Sequence, residues 1–179
     1  MREPTIARNY AQALFEAGER SGETERFAAM LEAVAGAIEA DERIRLALDS
    51  PRVPKTLKQR VLHQALSGRA PETFIRFLGA VVKRGRQGIV GAINQEYHAL
   101  LDLKLNRVHA GVILARKPDK QLLDAIQRRL SAATAKEVIP HVREDPRILG
   151  GIVVRIGDRG MDGSMRRKVV QLRKQMLGA

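Results

Sequence analysis

Along this 179-residue chain the apolar side chains recur at helical spacing up to about residue 105, and after that some of them fall at every second position. Ile6, Tyr10, Ala13, Leu14 and Ala17 share one helical face, Pro4 suits a first turn, and Ser21-Gly22 ends the run. Ala7, Ala11 and Phe15 form a second stripe beside the first, so helix one is apolar on more than one side. A bundle buries one such face and leaves the other for a partner. Thr24 is expected to cap a second helix carrying Phe27, Leu31, Val34 and Ile38, and Asp41 a short third with Ile44, Ala47 and Leu48. The two prolines of "DSPRVPK", 49 to 55, force a corner. Helix four then carries Leu57, Val61 and Ala65, and helix five, opened by Pro71, carries Phe74, Phe77, Leu78 and Val81. "KRGRQG", 83 to 88, separates it from helix six, with Ile89, Ile93, Tyr97, Leu100 and Leu101.

The period changes after Asn106. Val108, Ala110, Val112 and Leu114 alternate as in a strand; a helix with Leu122, Ile126, Leu130 and Ala133 follows Pro118; "KEVIPHVRED" reads as an edge strand because Pro140 gives up a ladder donor. Ile152 to Ile156 is the clearest strand, Gly157 to Gly160 is turn material, and Asp162 or Ser164 can cap a last helix with Met165, Val169, Leu172 and Met176 on one side. The pattern predicts a mainly α protein, with a six-helix bundle over residues 1–105 and a small α/β domain over 106–179.

Composition narrows the function. Cysteine is absent, which removes disulfides, thiolate metal sites and a cysteine nucleophile. Apolar runs such as "GVILA" at 111 to 115 fall far short of the roughly 18 residues of a spanning helix. The net charge of +12 is uneven: residues 1–49 carry 6 basic and 10 acidic side chains, residues 50–106 carry 10 and 3, and residues 107–179 carry 16 and 7. The basic end calls for an acidic partner: nucleic acid, anionic lipid or protein.

Motifs for chemistry fail on spacing. "GGIVVRIGDRGMDGS", 150 to 164, is glycine-rich, but Gly157, Gly160 and Gly163 are spaced three and three, and no Gly-Lys-Ser or Gly-Lys-Thr follows. The glycines are better explained by Gly150-Gly151 at a strand entrance and Gly157 and Gly160 bracketing a turn. His63, His98, His109 and His141 show no metal-binding pair such as HExxH, and neither a GxSxG motif nor a Walker loop occurs. No catalytic, cofactor or metal residue is assigned. Gly85-Arg86-Gln87-Gly88 imitates the backbone clamp of KH-type RNA-binding domains, and with the basic last helix it supports a rival reading as an RNA-binding protein. Against it, residues 107–179 hold no Phe, Tyr or Trp for base stacking.

"IARNYAQALFEAG", 6 to 18, and "ILGGIVVRIGDRGMDGSMRRKVVQLRKQML", 148 to 177, together resemble the delta subunit family of bacterial F-type ATP synthases, the oligomycin-sensitivity-conferring protein of mitochondria. Gly85-Arg86 also fits that family's helix-breaking segment. The resemblance implies a noncatalytic stator protein at the cytoplasmic face of the bacterial plasma membrane, one copy per complex, without cofactor and without membrane insertion. Its N-terminal domain would hold the N-terminal segments of the alpha subunits through Tyr10, Ala13 and Leu14 on helix one and Arg76 and Ala80 on helix five. Its C-terminal domain would grip the b-subunit stalk, with Arg166, Arg167 and Arg173 of the last helix as candidate contacts.

Overall fold

The structure is a computed structural model that describes residues 3–148, 150–157 and 159–163. The expected last helix, with Arg166, Arg167 and Arg173, lies outside the described residues, as does Ser164. The chain separates into two compact units, Met1–Leu101 and Asp102–Ala179, so the division falls in the last turn of helix six and not at Asn106-Arg107.

The first unit contains α1 (Glu3–Ser21), α2 (Thr24–Ala40), α3 (Glu42–Asp49), α4 (Lys55–Leu66), α5 (Glu72–Lys83) and most of α6 (Val90–Lys104), with a 3-10 turn over Gln87–Ile89. Its fully buried large side chains are Tyr97, Phe27, Phe74, Leu14, Leu31, Ile93 and Val81. Phe27 of α2 meets Phe74 of α5 with ring centroids 5.8 Å apart, and Phe15 of α1 meets Tyr97 of α6 edge-on at 5.5 Å. These rings fill the space between helices, which aliphatic residues alone would leave loosely packed.

Of the two apolar stripes on α1, the core takes Ala7, Ala11, Leu14 and Phe15, together with Gly18. Ile6, Tyr10 and Ala17 are half-buried and Ala13 is exposed. The inward stripe alternates small and large residues, so the helix approaches its neighbours closely and still contributes a ring. A Cβ on Gly18 would come within 3.1 Å of the Tyr97 hydroxyl and 3.2 Å of the Thr24 Cα, so a side chain here would push α1 and its neighbours apart by a few tenths of an ångström.

Thr24 does not cap α2. It is the first residue of the helix, buried, and its carbonyl accepts a 3.0 Å hydrogen bond from the Tyr97 hydroxyl, while Glu23 stands at the cap position. The helix begins one residue earlier than a Thr24 cap requires, and Glu23 makes no side-chain cap hydrogen bond. Asp41 does cap α3, accepting from the Arg43 N–H at 2.8 Å. Burial pushes the Tyr97 phenol well above its ordinary range, and the charge of Glu19 adds to this. A phenol that holds its proton more tightly in the folded state stabilises the fold fully below its ordinary pKa of about 10, and this contribution is lost as pH rises beyond it. We predict that Tyr97→Phe costs about 1 to 2 kcal/mol at neutral pH and flattens the alkaline loss of stability. Thermal melting between about pH 8 and pH 11 checks this; equal slopes for the two proteins would count against it.

The stripes expected to be buried on α3 and α4 are not closed over. Ile44, Leu57 and Val61 are exposed, Val61 by 56%, and with Val34, Ile38 and Ala47 they line an open apolar groove of about 490 Å³. Helices of 8 and 12 residues present too few turns to shut this side of the bundle. Lys58 reaches across it buried, its ammonium donating to the carbonyls of Leu48 and Ser50 at the end of α3.

The second unit contains β1 (Arg107–Leu114), α7 (Lys120–Thr134), β2 (Glu137–Glu144), β3 (Ile152–Ile156) and β4 (Arg159–Asp162). The sheet order is β2-β1-β3-β4, with β1 and β2 parallel across the α7 connection and the other pairs antiparallel. Pro140 sits in the edge strand β2, as its missing donor requires. Ala110, Val112 and Leu114, the inward positions of β1, pack with Ile126, Val138 and Val154. Asp119, one residue after Pro118, caps α7 by accepting from the Leu122 N–H at 2.7 Å. The turn is shorter than expected: Gly157 takes positive φ, +54°, but Gly160 already stands in β4 opposite Arg155.

Candidate functional site

The half-exposed stripe of α1 and the outer face of α5 lie side by side. Tyr10 meets Phe77 edge-on with ring centroids 6.2 Å apart. Toward the start of α1, Ile6, Asn9 and Tyr10 line an open cavity of about 440 Å³ with Arg84 and Arg86, just past the end of α5. Falling residue numbers on α1 thus face rising ones on α5, and the two helices run antiparallel. Arg76 and Ala80 on the outer face of α5, and Arg84 just past its end, follow one another at turn spacing and are exposed.

The arrangement follows from how α5 stops. Gly85 takes φ +68° and its N–H bonds the Val82 carbonyl at 2.9 Å, while the Arg86 N–H bonds the Val81 carbonyl at 3.0 Å. This left-handed ending satisfies the last carbonyls of the helix and turns the two flanking arginines toward α1. The Gly85-Arg86 pair is therefore a helix stop. Lys55 supports it by donating to the Lys83 carbonyl at 3.1 Å. The result is an apolar floor of Ile6, Tyr10, Phe77 and the small Ala13 and Ala80, with cations at one end. Such a strip is suited to an amphipathic helix and offers no group for covalent chemistry. Among the described residues no cluster of three His, Asp or Glu side chains forms a metal site, and no helix is long and apolar enough to cross a membrane.

The family described as ATP synthase delta (OSCP) subunit matches residues 6–176. The chain belongs to that family. Its curated relatives include the ATP synthase subunit delta of Gemmatimonas aurantiaca, 44% identical over 174 residues that span 97% of this chain and 94% of the relative. The proteins of the same name from Desulfotalea psychrophila and Desulforamulus reducens are 31% and 30% identical; they align with 99% and 96% of this chain and with 99% and 95% of their own lengths. Among solved structures, a chain of the Toxoplasma gondii mitochondrial ATP synthase hexamer shares the fold with a TM-score of 0.68 at 20% identity, over 96% of this chain and 97% of that one.

Of the residues that the family resemblance singled out, Tyr10, Ala13, Arg76 and Ala80 lie on the adjoining outer faces of α1 and α5. Leu14 does not: it is 1% exposed and belongs to the core. One residue's difference along a helix is a turn of about 100 degrees, enough to move a side chain from the groove to the interior. Arg166, Arg167 and Arg173 lie outside the described residues. Sequence reasoning missed Ile6, Asn9, Phe77 and Arg84 as members of the site. The signal for Arg84 was present in the Gly85-Arg86 break, which fixes where the end of α5 delivers its cations.

Proposed function

We propose that this chain is a noncatalytic stator subunit of an F-type, proton-translocating ATP synthase, and that it ties the catalytic head to the peripheral stalk during ATP synthesis. Family membership over nearly the whole chain is the observation that carries the reading. The first unit engages the head, its α1–α5 groove taking the N-terminal segment of an alpha subunit along Tyr10, Ala13, Arg76 and Ala80. The second unit, 106–179 in the sequence division, engages the b-subunit stalk, with Arg166, Arg167 and Arg173 as candidate contacts. One copy serves each complex, peripheral at the cytoplasmic face of the bacterial plasma membrane.

A stator carries torque without turning over a substrate, so its chemistry is adhesion. Holding on the order of 12 kcal/mol, a nanomolar attachment, is expected. Two tethered contacts reach this more easily than one, because the second forms at the effective concentration set by the first. The experiment that tests the reading is purification of the chain from its native membrane: alpha, beta and b subunits are expected to accompany it. Recovery without them, together with salt-dependent retention on RNA, would favour the rival nucleic-acid reading. The comparisons contain nothing that supports that rival, and in the structure the loop that suggested it is the ending of α5.

A further inference from the structure

We propose that Asp102, His109 and His141 form a proton-operated clasp in the second unit, which holds the outer half of the edge strand β2 while the two rings share a proton and releases it when acid charges both.

The clasp is built by register. β1 and β2 run parallel with His141 opposite Gly111, which has no side chain to meet it. The His141 ring leans instead along the sheet to His109, two residues back on the same face of β1, and its Nε2 lies 2.7 Å from the His109 Nδ1. The ring planes differ by 28° and the centroids are 4.9 Å apart, which exceeds the nitrogen separation by about the breadth of one ring. The two nitrogens therefore point at each other along the line of centres. Lone pairs directed in this way do not converge on a third point as metal ligands must, and what they share is a proton. The second nitrogen of His109, Nε2, stands 3.0 Å from the carboxylate of Asp102 in the last turn of α6.

Counting protons fixes the states in which this chain of contacts exists. The Asp102 carboxylate only accepts, so the His109 Nε2 carries a hydrogen. The slot between the two rings takes one more. The clasp is then complete with both rings neutral, and also with one ring charged, the added proton going to the His141 Nδ1. A further proton has to enter the slot, where two N–H groups would face each other at 2.7 Å, and the contact is lost. The charged groups on the elements around the pair are Asp102 and Lys104 of α6, Arg107 of β1 with its partner Glu137 of β2 at 2.7 Å, Arg143 of β2 two residues past His141 on the same face, and Arg155 of β3 opposite Gly111. Cations outnumber carboxylates among them, and Glu137 is already engaged by Arg107, so these surroundings oppose a second positive charge on the rings.

The consequence falls on β2. Its buried side chain is Val138, near the start; Pro140 lacks a ladder donor, and His141, Val142, Arg143 and Glu144 are all exposed. The outer half of the strand has no anchor in the core, and the clasp ties it to β1 and, through Asp102, to the end of α6. Once the strand opens, the rings separate and each takes its own proton. In acid the open state thus binds more protons than the closed one, and the closed strand loses stability as pH falls.

The test follows hydrogen exchange in the full chain at about pH 7.5 and about pH 5, on either side of the interval in which imidazole ordinarily changes charge, with each rate normalised to that of an unstructured peptide at the same pH. Those amides of residues 141 to 144 that are protected at the higher pH are expected to lose about tenfold of their protection at the lower one, the effect of one proton's difference over one pH unit, while the protected amides of Ala110, Val112 and Val154 keep theirs. In His141→Gln, whose side-chain amide can still donate to the His109 Nδ1 but takes up no proton, protection is expected to be the same at both values. His141→Ala is expected to lose it at both. In the wild type the ring signals of His109 and His141 are expected to follow two shared proton-binding steps. Equal protection of the wild type at the two pH values, the same acid loss in His141→Gln, or two independent single-step ring titrations would overturn the proposal.

Discussion

Placing an aspartate at Ala13 is expected to weaken the chain's hold on the alpha N-terminal segment by at least about a hundredfold, close to 3 kcal/mol, while the bundle stays folded. Ala13 is exposed on α1, so in the free protein the new carboxylate stands in water and costs little beyond a small loss of helix propensity. In the complex it would be pressed into the apolar strip formed with Tyr10, Phe77 and Ala80. An ionised carboxylate taken out of water without a partner is among the most expensive changes in an interface. The small size of Ala13 adds a steric term, because a longer side chain holds the partner helix away from the floor. Calorimetric titration beside circular dichroism reads both halves of the prediction. A loss of less than about threefold would mean that Ala13 lies outside the contact; loss of helix would mean that the residue is structural.

The largest effect on stability is expected from Phe27→Ala, about 3 to 5 kcal/mol. Phe27 is fully buried, its ring is tilted against Phe74 across the α2–α5 boundary, and its edge lies 3.2 Å from where a Cβ on Gly18 would stand. Removing it deletes a ring that packs from α2 against α1 and α5 and leaves a cavity that neighbours of fixed rotamer close only in part. Against a typical total of about 5 to 15 kcal/mol for a native domain, this is enough to leave the bundle marginal. Phe77→Ala, at a half-buried ring on the groove, is expected to cost clearly less stability and more binding. Denaturant unfolding of the two variants separates the roles; a cost below about 1 kcal/mol for Phe27→Ala would contradict the packing described.

The helices and most strands were legible because each side of this chain keeps one period at a time. The six helical stripes before residue 105 and the alternation in Val108 to Leu114 are such cases, and Pro140 correctly announced an edge. The failures have physical causes. α1 carries two apolar stripes of similar weight, and periodicity cannot say which faces the core; burial of Ala7, Ala11 and Gly18 depends on how closely neighbouring helices approach. Leu14, which the family resemblance places among the partner contacts, shares a stripe with Ala13 in the sequence but is 1% exposed in the bundle. Thr24 has the side chain of a cap, but it is already the first helical residue and buried, with Glu23 at the cap position. β4 was hidden because Arg159 to Asp162 has neither apolar alternation nor β-branched residues, and its pairing with β3 comes from the hairpin at Gly157. In the site, the small residues and Tyr10 were marked by resemblance, while Ile6, Phe77 and Arg84 become visible only when the two helices are laid antiparallel.

The central claim is that the outer face of α1 and α5 is a docking groove for the head of the synthase. Titration of the full chain with the N-terminal peptide of its alpha subunit tests it most directly. Saturable binding at micromolar concentration or tighter is expected, abolished by Ala13→Asp and retained in a variant altered only on the open α3–α4 side; no binding at micromolar peptide would contradict a docking role for this groove.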